Sequence, residues 1–414
     1  MSHPLINLVV VGHKDHGKST LIGRLLHDSK ALPEQKLQEI KNELKESGRE
    51  FQFAFLLDSL EEERDGGLSI DIIQTPFKSN KFFYTIIDCP GHKEFIKKML
   101  TGASQADAAL LLVSAKEGVQ DQTKEHAFLI KTFGIQQLVV AINKMDEVAY
   151  NRNRYTTLCK LMKNTLVSLG YKKTPMIPIS ALHGDNIFSA SKKMEWYDGL
   201  PLIDTLDNTI KPSALPVNKP LRGFVQDTYP YDGDRIIICK IETGVLESGK
   251  RICFNPSGKL GITRAITIFG AEISKAEPGD SVGLLVDGVH GVERGEVISY
   301  PENKPLITQN FVAKIILFPG TEILEGNILK IRYGTAEKEC AVHKILKKID
   351  PVTLTIQQEF PESLQKECVG EVKLVPLQPL CIEKYSELPQ MGRFVIEGKK
   401  GTSAAGIVLK ITEV

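Results

Sequence analysis

The chain has 414 residues, with 52 Lys+Arg against 51 Asp+Glu, a net charge of +1 and 42% hydrophobic residues. That composition can fill several packed cores; it excludes a disordered chain and a polybasic nucleic-acid coat. No apolar run approaches the roughly 18 residues a spanning helix needs, so neither a membrane segment nor DNA binding is expected. The start, MSHPLINLVVVGH, shows no basic leader or cleavage site, and seven cysteines lie scattered without a CxxC pair. The expectation is a cytoplasmic protein with reduced thiols.

Taken in chain order, Ile6–Val11 reads as a buried strand ending in a glycine-rich turn, with a helix over Thr20–Leu26 after it. Pro33 then opens an amphipathic helix over Glu34–Ser47 that places Leu37, Ile40 and Leu44 on one face. Phe83–Ile87, Ala108–Val113, Gln137–Ile142 and Met176–Ile179 are further apolar strands, and Thr123–Phe133 is a helix among them. Such alternation predicts a mostly parallel sheet with helices on both faces. The stretch KPSALPVNKP, Lys211–Pro220, holds three prolines and reads as a linker. Short β-rich runs follow, among them DRIIICKIETG, KRICFNPSGKLG and DSVGLLVDG, separated by Gly, Asp, Asn and Pro. They predict antiparallel barrels, with a second break at Tyr300–Pro305. The expected architecture is an α/β P-loop domain over 1–212 and two β-barrels over 213–303 and 304–414.

Gly12–Ser19, GHKDHGKS, fits G-x-x-x-x-G-K-[ST] between a strand and a helix. Glycines let the backbone curl so that N–H groups face phosphate oxygens, and the helix N-terminus adds its dipole. The loop Gly12, His13, Lys14, Asp15, His16, Gly17, Lys18, Ser19 and Thr20 is therefore the expected phosphate cradle. Within it Lys18 reaches the β/γ-phosphates and Ser19 binds Mg²⁺. His13 and His16 are read as packing within the loop. Asp88 opens DCPG after the next strand, where a second Mg²⁺-directed carboxylate belongs, and Gly91 offers a backbone N–H to the γ-phosphate. In NKMD, Asp146 can accept from both N1–H and N2–H₂ of guanine, which adenine cannot supply. Asn143 would brace that loop and the Lys144 stem would lie over the purine. Ser180, Ala181 and Leu182 form the next loop, with Ser180–Ala181 supplying a backbone donor for O6. Four signals, each at the carboxyl end of a strand, predict a guanine nucleotide site. Cys340 and His343 lack further partners for a metal.

GHKDHGKST, DCPGH, NKMD and SAL together resemble the translation-factor GTPases, the elongation factor Tu and elongation factor 1-alpha group, over essentially the whole chain. The resemblance implies GTP and GDP with Mg²⁺, two segments that sense the γ-phosphate, and His92 as the residue that orients the attacking water. Two positions depart from the family pattern. Ser69 stands in GGLSID where a threonine would close over Mg²⁺, and Lys14 stands where valine forms part of an apolar screen.

GASQADAALLLVSAKEGVQDQTKEHAFL and GRFVIEGKKGTSAAGIVL look like elongation factor 1-alpha. GRLLHDSKALPEQKLQEIK, FAFLLDSLEEER, ILKIRYGTAEKEC and ECVGEVKL look closer to the GTPase subunit of sulfate adenylyltransferase. FVAKIILFPGTEILEGNILKI reads as a compact strand pair opening the third domain. Residues 301–414 carry 15 Lys+Arg against 14 Asp+Glu, no net electrostatic footprint for RNA, although a local patch would survive such a count. The leading expectation is a GTPase working with a small adenylyltransferase-type catalytic subunit. The alternatives are a factor that serves the ribosome and aminoacyl-tRNA, and a regulatory GTP binder with little turnover.

Overall fold

The computed structural model describes residues 3–46, 51–56, 74–88, 106–132, 134–212, 214–231, 234–318, 320–351, 355–365, 368–398 and 401–412. The chain divides into two compact units, residues 1–213 and 214–414.

The first unit is built on a six-stranded sheet. Its strands are β1 (Leu5–Gly12), β2 (Gln74–Lys78), β3 (Phe83–Asp88), β4 (Ala108–Ser114), β5 (Gln137–Asn143) and β6 (Met176–Pro178), in the order β2-β3-β1-β4-β5-β6. All neighbours run parallel except β2 and β3. Every residue of β4 is buried, as an unbroken apolar run demands of a strand covered on both faces. β2 was not foreseen. It is the edge strand, and its Pro76, opposite Thr85, breaks the β pattern at a place where a strand tolerates proline.

The helices are α1 (Lys18–Asp28), α2 (Glu34–Glu46), α3 (Asp121–Thr132), α4 (Arg152–Ser168) and α5 (Leu202–Thr209). α1 buries Leu21, Ile22, Leu25 and Leu26 against the sheet, and Ile40 of α2 is buried as its periodicity predicts. α4 begins where Asn151 Oδ1 accepts the Arg154 N–H at 2.9 Å. Among the described residues no helix is long and apolar enough to cross a membrane.

The second unit holds two closed antiparallel sheets. In the first, strands 251–255, 297–299, 222–231, 234–243, 281–287 and 259–268 follow in order, and pairing of 251–255 with 259–268 shuts the barrel. In the second the order is 328–333, 393–398, 401–412, 310–317, 369–376 and 336–349, closed by the first strand on the last. Closure removes open edges, and each barrel fills its interior with alternate residues such as Phe311, Ala313 and Ile315.

Phe224 and Val297 of the first barrel belong to the apolar cluster of the second. The junction also carries Arg222, 3% exposed, whose Nε donates to Glu383 Oε1 at 2.6 Å. The expected strand pair within Phe311–Ile331 does not form. Asn310–Leu317 lies between 369–376 and 401–412, whereas Ile328–Tyr333 joins 336–349 and 393–398. The connection between the two runs is too long for a tight hairpin turn, so burial of alternate residues chose their neighbours. Cys340 is buried inside this barrel while His343 is exposed, which separates the two.

Candidate nucleotide site

Three loops and the end of β3 lie at the carboxyl rim of the parallel sheet among the described residues. The first runs from Gly12 into α1. A Cβ on Gly12 would stand 2.7 Å from the Leu112 carbonyl oxygen of β4, so only glycine lets β1 leave the sheet there. Gly17 caps α1 at φ 88°, and a Cβ on it would lie 2.5 Å from Asn143 Nδ2. No side chain caps α1, and its first turn carries no acidic residue. The N-terminal N–H groups and the positive dipole end are thus left for an anion.

Lys18 is 9% exposed, and its Nζ donates to the carbonyls of Gly12 at 2.9 Å and His13 at 3.1 Å. The ammonium is thereby held over the loop it would share with phosphates. Ser19 and Thr20 are half-buried in the first turn of α1, while Lys14 and Asp15 are exposed, Asp15 at φ 63°. His13 Nδ1 pairs with Gln122 Oε1 of α3. His16 is fully buried, its Nδ1 3.1 Å from the Leu112 carbonyl and its Nε2 3.5 Å from Glu117 Oε2. Burial pushes the imidazole below its usual value of 6.5, against the pull of the Leu112 carbonyl and Glu117. A carbonyl only accepts, so Nδ1 carries the proton. The two histidines therefore lock the loop to β4 and α3.

Asp88 ends β3, buried beside Val10 of β1, on the same rim. Gly91 and His92, expected next along the chain, lie outside the described residues, as does Ser69.

Asn143 joins two loops. Its Nδ2 donates to the His16 carbonyl at 2.9 Å, and its Oδ1 accepts the Ala181 N–H at 2.9 Å. Lys144 takes φ 61° and places Nζ 3.3 Å from Glu147. Asp146 Oδ1 accepts from Ser180 Oγ at 2.6 Å, which fixes the carboxylate over the site. The two amides expected to face the purine oxygen already have protein acceptors in this structure. The Ser180 N–H is spent on the Asp185 carbonyl and the Ala181 N–H on Asn143. The amide of Leu182 comes next along the same loop. The Ser180 turn that folds these amides inward follows from a side chain–backbone bond that spacing alone does not reveal.

Sequence reasoning also missed a second layer. Arg24 of α1 donates to the Leu182 carbonyl at 3.2 Å and packs on Gly184, whose φ is +79°. Tyr150 OH donates to Asp185 Oδ2 at 2.9 Å, and Ser191 Oγ to Asp185 Oδ1 at 2.7 Å. Burial opposes the charge on Asp185, but Ser191, Tyr150 and Lys193 outweigh it and hold the carboxyl below the usual carboxylate range. No local pattern announces these contacts, since the partners lie far apart along the chain.

The geometry defines a class: an α/β P-loop nucleotide-binding unit whose cradle of free helix amides, buried lysine and carboxylates fits a Mg²⁺-nucleotide. The comparisons narrow it. Residues 3–212 match the Elongation factor Tu GTP binding domain, and residues 310–409 match the GTP-eEF1A C-terminal domain-like family. Elongation factor 1-alpha of Archaeoglobus fulgidus is 41% identical over 414 residues, 98% of each chain. That of Saccharolobus solfataricus is 42% identical over 424 residues, covering 99% of this chain and 97% of its own. A crystal structure of sup35 complexed with GMPPNP aligns over 100% of this chain and 95% of its own, at 28% identity and a TM-score of 0.47. The chain belongs to the elongation factor Tu and elongation factor 1-alpha family of GTPases. It is a GTP-hydrolysing enzyme that uses GTP and GDP with Mg²⁺. The full-length likeness to elongation factor 1-alpha overrides the short segments that suggested a sulfate-activating partner.

Proposed function

We propose that the chain serves translation as a GTP-gated carrier that brings aminoacyl-tRNA to the ribosome. The observation that carries this reading is the extent of the likeness: elongation factor 1-alpha of Methanosarcina mazei matches over 99% of both chains, barrels included. A GTPase domain shared alone would leave the partner open, because function resides in the surfaces grafted onto a fold. Here the alignment runs through both barrels as well, so the proposal extends to the domains beyond the GTPase unit.

In this reading the Gly12–Thr20 loop holds the phosphates, Ser19, Ser69 and Asp88 hold Mg²⁺, and Asp146 with the Leu182 amide reads guanine. The metal neutralises charge on the phosphate oxygens when bound. Lys18 positions and balances the β/γ-phosphates. Gly91 contributes a backbone N–H, and His92 orients the water. Ser69 keeps the hydroxyl of the family threonine without its methyl, so the closed segment packs more weakly. Lys14 replaces an apolar side chain near that water.

The test is GTP turnover with and without ribosomes. Ribosomes should stimulate hydrolysis at least about tenfold, a barrier change of about 1.4 kcal/mol, and the GTP form should protect the aminoacyl ester of charged tRNA. No response to ribosomes, with stimulation by sulfate, ATP and a small adenylyl-transferring subunit, would reverse the assignment.

A further inference from the structure

Two loops would face the guanine base: Asn143–Asp146 after β5 and Ser180–Leu182 after β6. Beyond the Asp146–Ser180 contact, a second tie joins them from behind. The chain leaves the 3-10 turn Asp146–Val148 through Ala149 at φ 49° and Tyr150 at φ 56°. Two successive non-glycine residues in the left-handed region are strained and persist only where surroundings fix them.

Tyr150 is fixed at three points. Its N–H donates to the Met145 carbonyl at 2.7 Å, its carbonyl accepts from Trp196 Nε1 at 3.0 Å, and its hydroxyl donates to Asp185. Asp185 in turn closes the second loop, since its carbonyl accepts the Ser180 N–H at 3.2 Å. Lys193 completes the cluster, with Nζ 3.0 Å from the Tyr150 hydroxyl and 3.5 Å from Asp185 Oδ2.

We propose that Tyr150 and Asp185 form a latch that sets the spacing between the Asp146 carboxylate and the Leu182 amide. Tyr150 is a positioning residue for guanine recognition, although it stands behind the base. The latch rests on the reading of Asp146 as the acceptor for the base. Its logic is geometric. Asp146 lies four residues before Tyr150, and Leu182 lies three before Asp185. The backbone bonds at Met145 and Ser180 carry the latch's position into both loops. Without it the strained Ala149–Tyr150 step has less to hold it, and the Asp146 turn can relax away from Leu182.

The experiment compares GTP with ITP by competition against a fluorescent GDP on the full chain. ITP lacks the 2-amino group that Asp146 would accept, so the affinity ratio reports where that carboxylate sits. Tyr150→Phe removes only the hydroxyl. It should speed GDP release about fivefold to tenfold and narrow the GTP/ITP ratio by about threefold or more, the scale of one ordinary hydrogen bond. Asp185→Asn keeps an acceptor for the hydroxyl and should retain more of the ratio than Asp185→Ala. Adding Tyr150→Phe to Asp185→Ala should narrow the ratio by much less than Tyr150→Phe does alone, because the two share the bond that joins the loops. A merely structural role would weaken both nucleotides by one factor, and that result, or an unchanged ratio, would overturn the latch. Should the wild-type chain bind ITP as tightly as GTP, the reading of Asp146 beneath the latch would fall instead.

Discussion

Asp146→Asn should move the preference of the chain from GTP to XTP. The Asp146 carboxylate is acceptor-only and already oriented by Ser180 at 2.6 Å, so the base edge it meets must bring donors. Guanine brings two, N1–H and N2–H₂. An asparagine keeps one acceptor, which Ser180 can still occupy, and turns a donating amide toward C2. That amide clashes with the 2-amino group of guanine and pairs with the 2-oxo group of xanthine. Losing two charge-assisted hydrogen bonds, at about 1.5–3 kcal/mol each, should weaken GTP by roughly 10²–10⁴-fold. XTP should gain a comparable factor. Competition by both nucleotides against labelled GDP measures the exchange, and an Asn variant that still prefers GTP would remove Asp146 from base recognition.

The other large effect is expected at Lys18. Lys18 is buried, and its Nζ donates to the carbonyls of Gly12 and His13, which holds the ammonium over the phosphate-facing loop. A cation held at that place can make charge-assisted hydrogen bonds to phosphate oxygens, which are about twice as strong as neutral ones. Lys18→Ala should reduce GTP and GDP affinity by about 10²–10³-fold, the loss of hydrogen bonds from a desolvated cation to phosphate. Because the side chain also ties the loop together, the melting temperature is read alongside affinity. Intact folding with wild-type GDP binding would contradict the role given to this lysine.

Much of the fold is legible in the residues themselves. The five apolar runs that lie in β1, β3, β4, β5 and β6 announce a parallel core, because strands covered on both faces have no polar side to show. β2 hides behind Pro76, which an edge strand tolerates. Pairing is less legible than existence. Residues 310–317 and 328–333 are both strands as expected, but their partners are chosen by the closure of a whole barrel.

The phosphate loop could be read from glycine and lysine spacing because those residues have few other reasons to stand in that order. Its surroundings could not. Asn143 bonds to His16 and Ala181 at once, and Tyr150 finds Asp185 across 35 positions. Such long-range contacts depend on which loops the sheet brings to one rim. The Ala181 amide meets its acceptor, Asn143, for the same reason: that side chain arrives from another strand, and it is why the proposed reading turns to the Leu182 amide.

The central claim is that one rim of a six-stranded sheet grips a Mg²⁺-nucleotide and selects guanine. It is tested most directly by titrating the purified chain with GTP, GDP and ATP in magnesium. One GTP or GDP should bind per chain at micromolar concentration or tighter, with ATP about a thousandfold weaker or more, as expected of a site built to satisfy a buried polar group. Equal competition by ATP, or no binding of GTP and GDP at millimolar concentration, would contradict it.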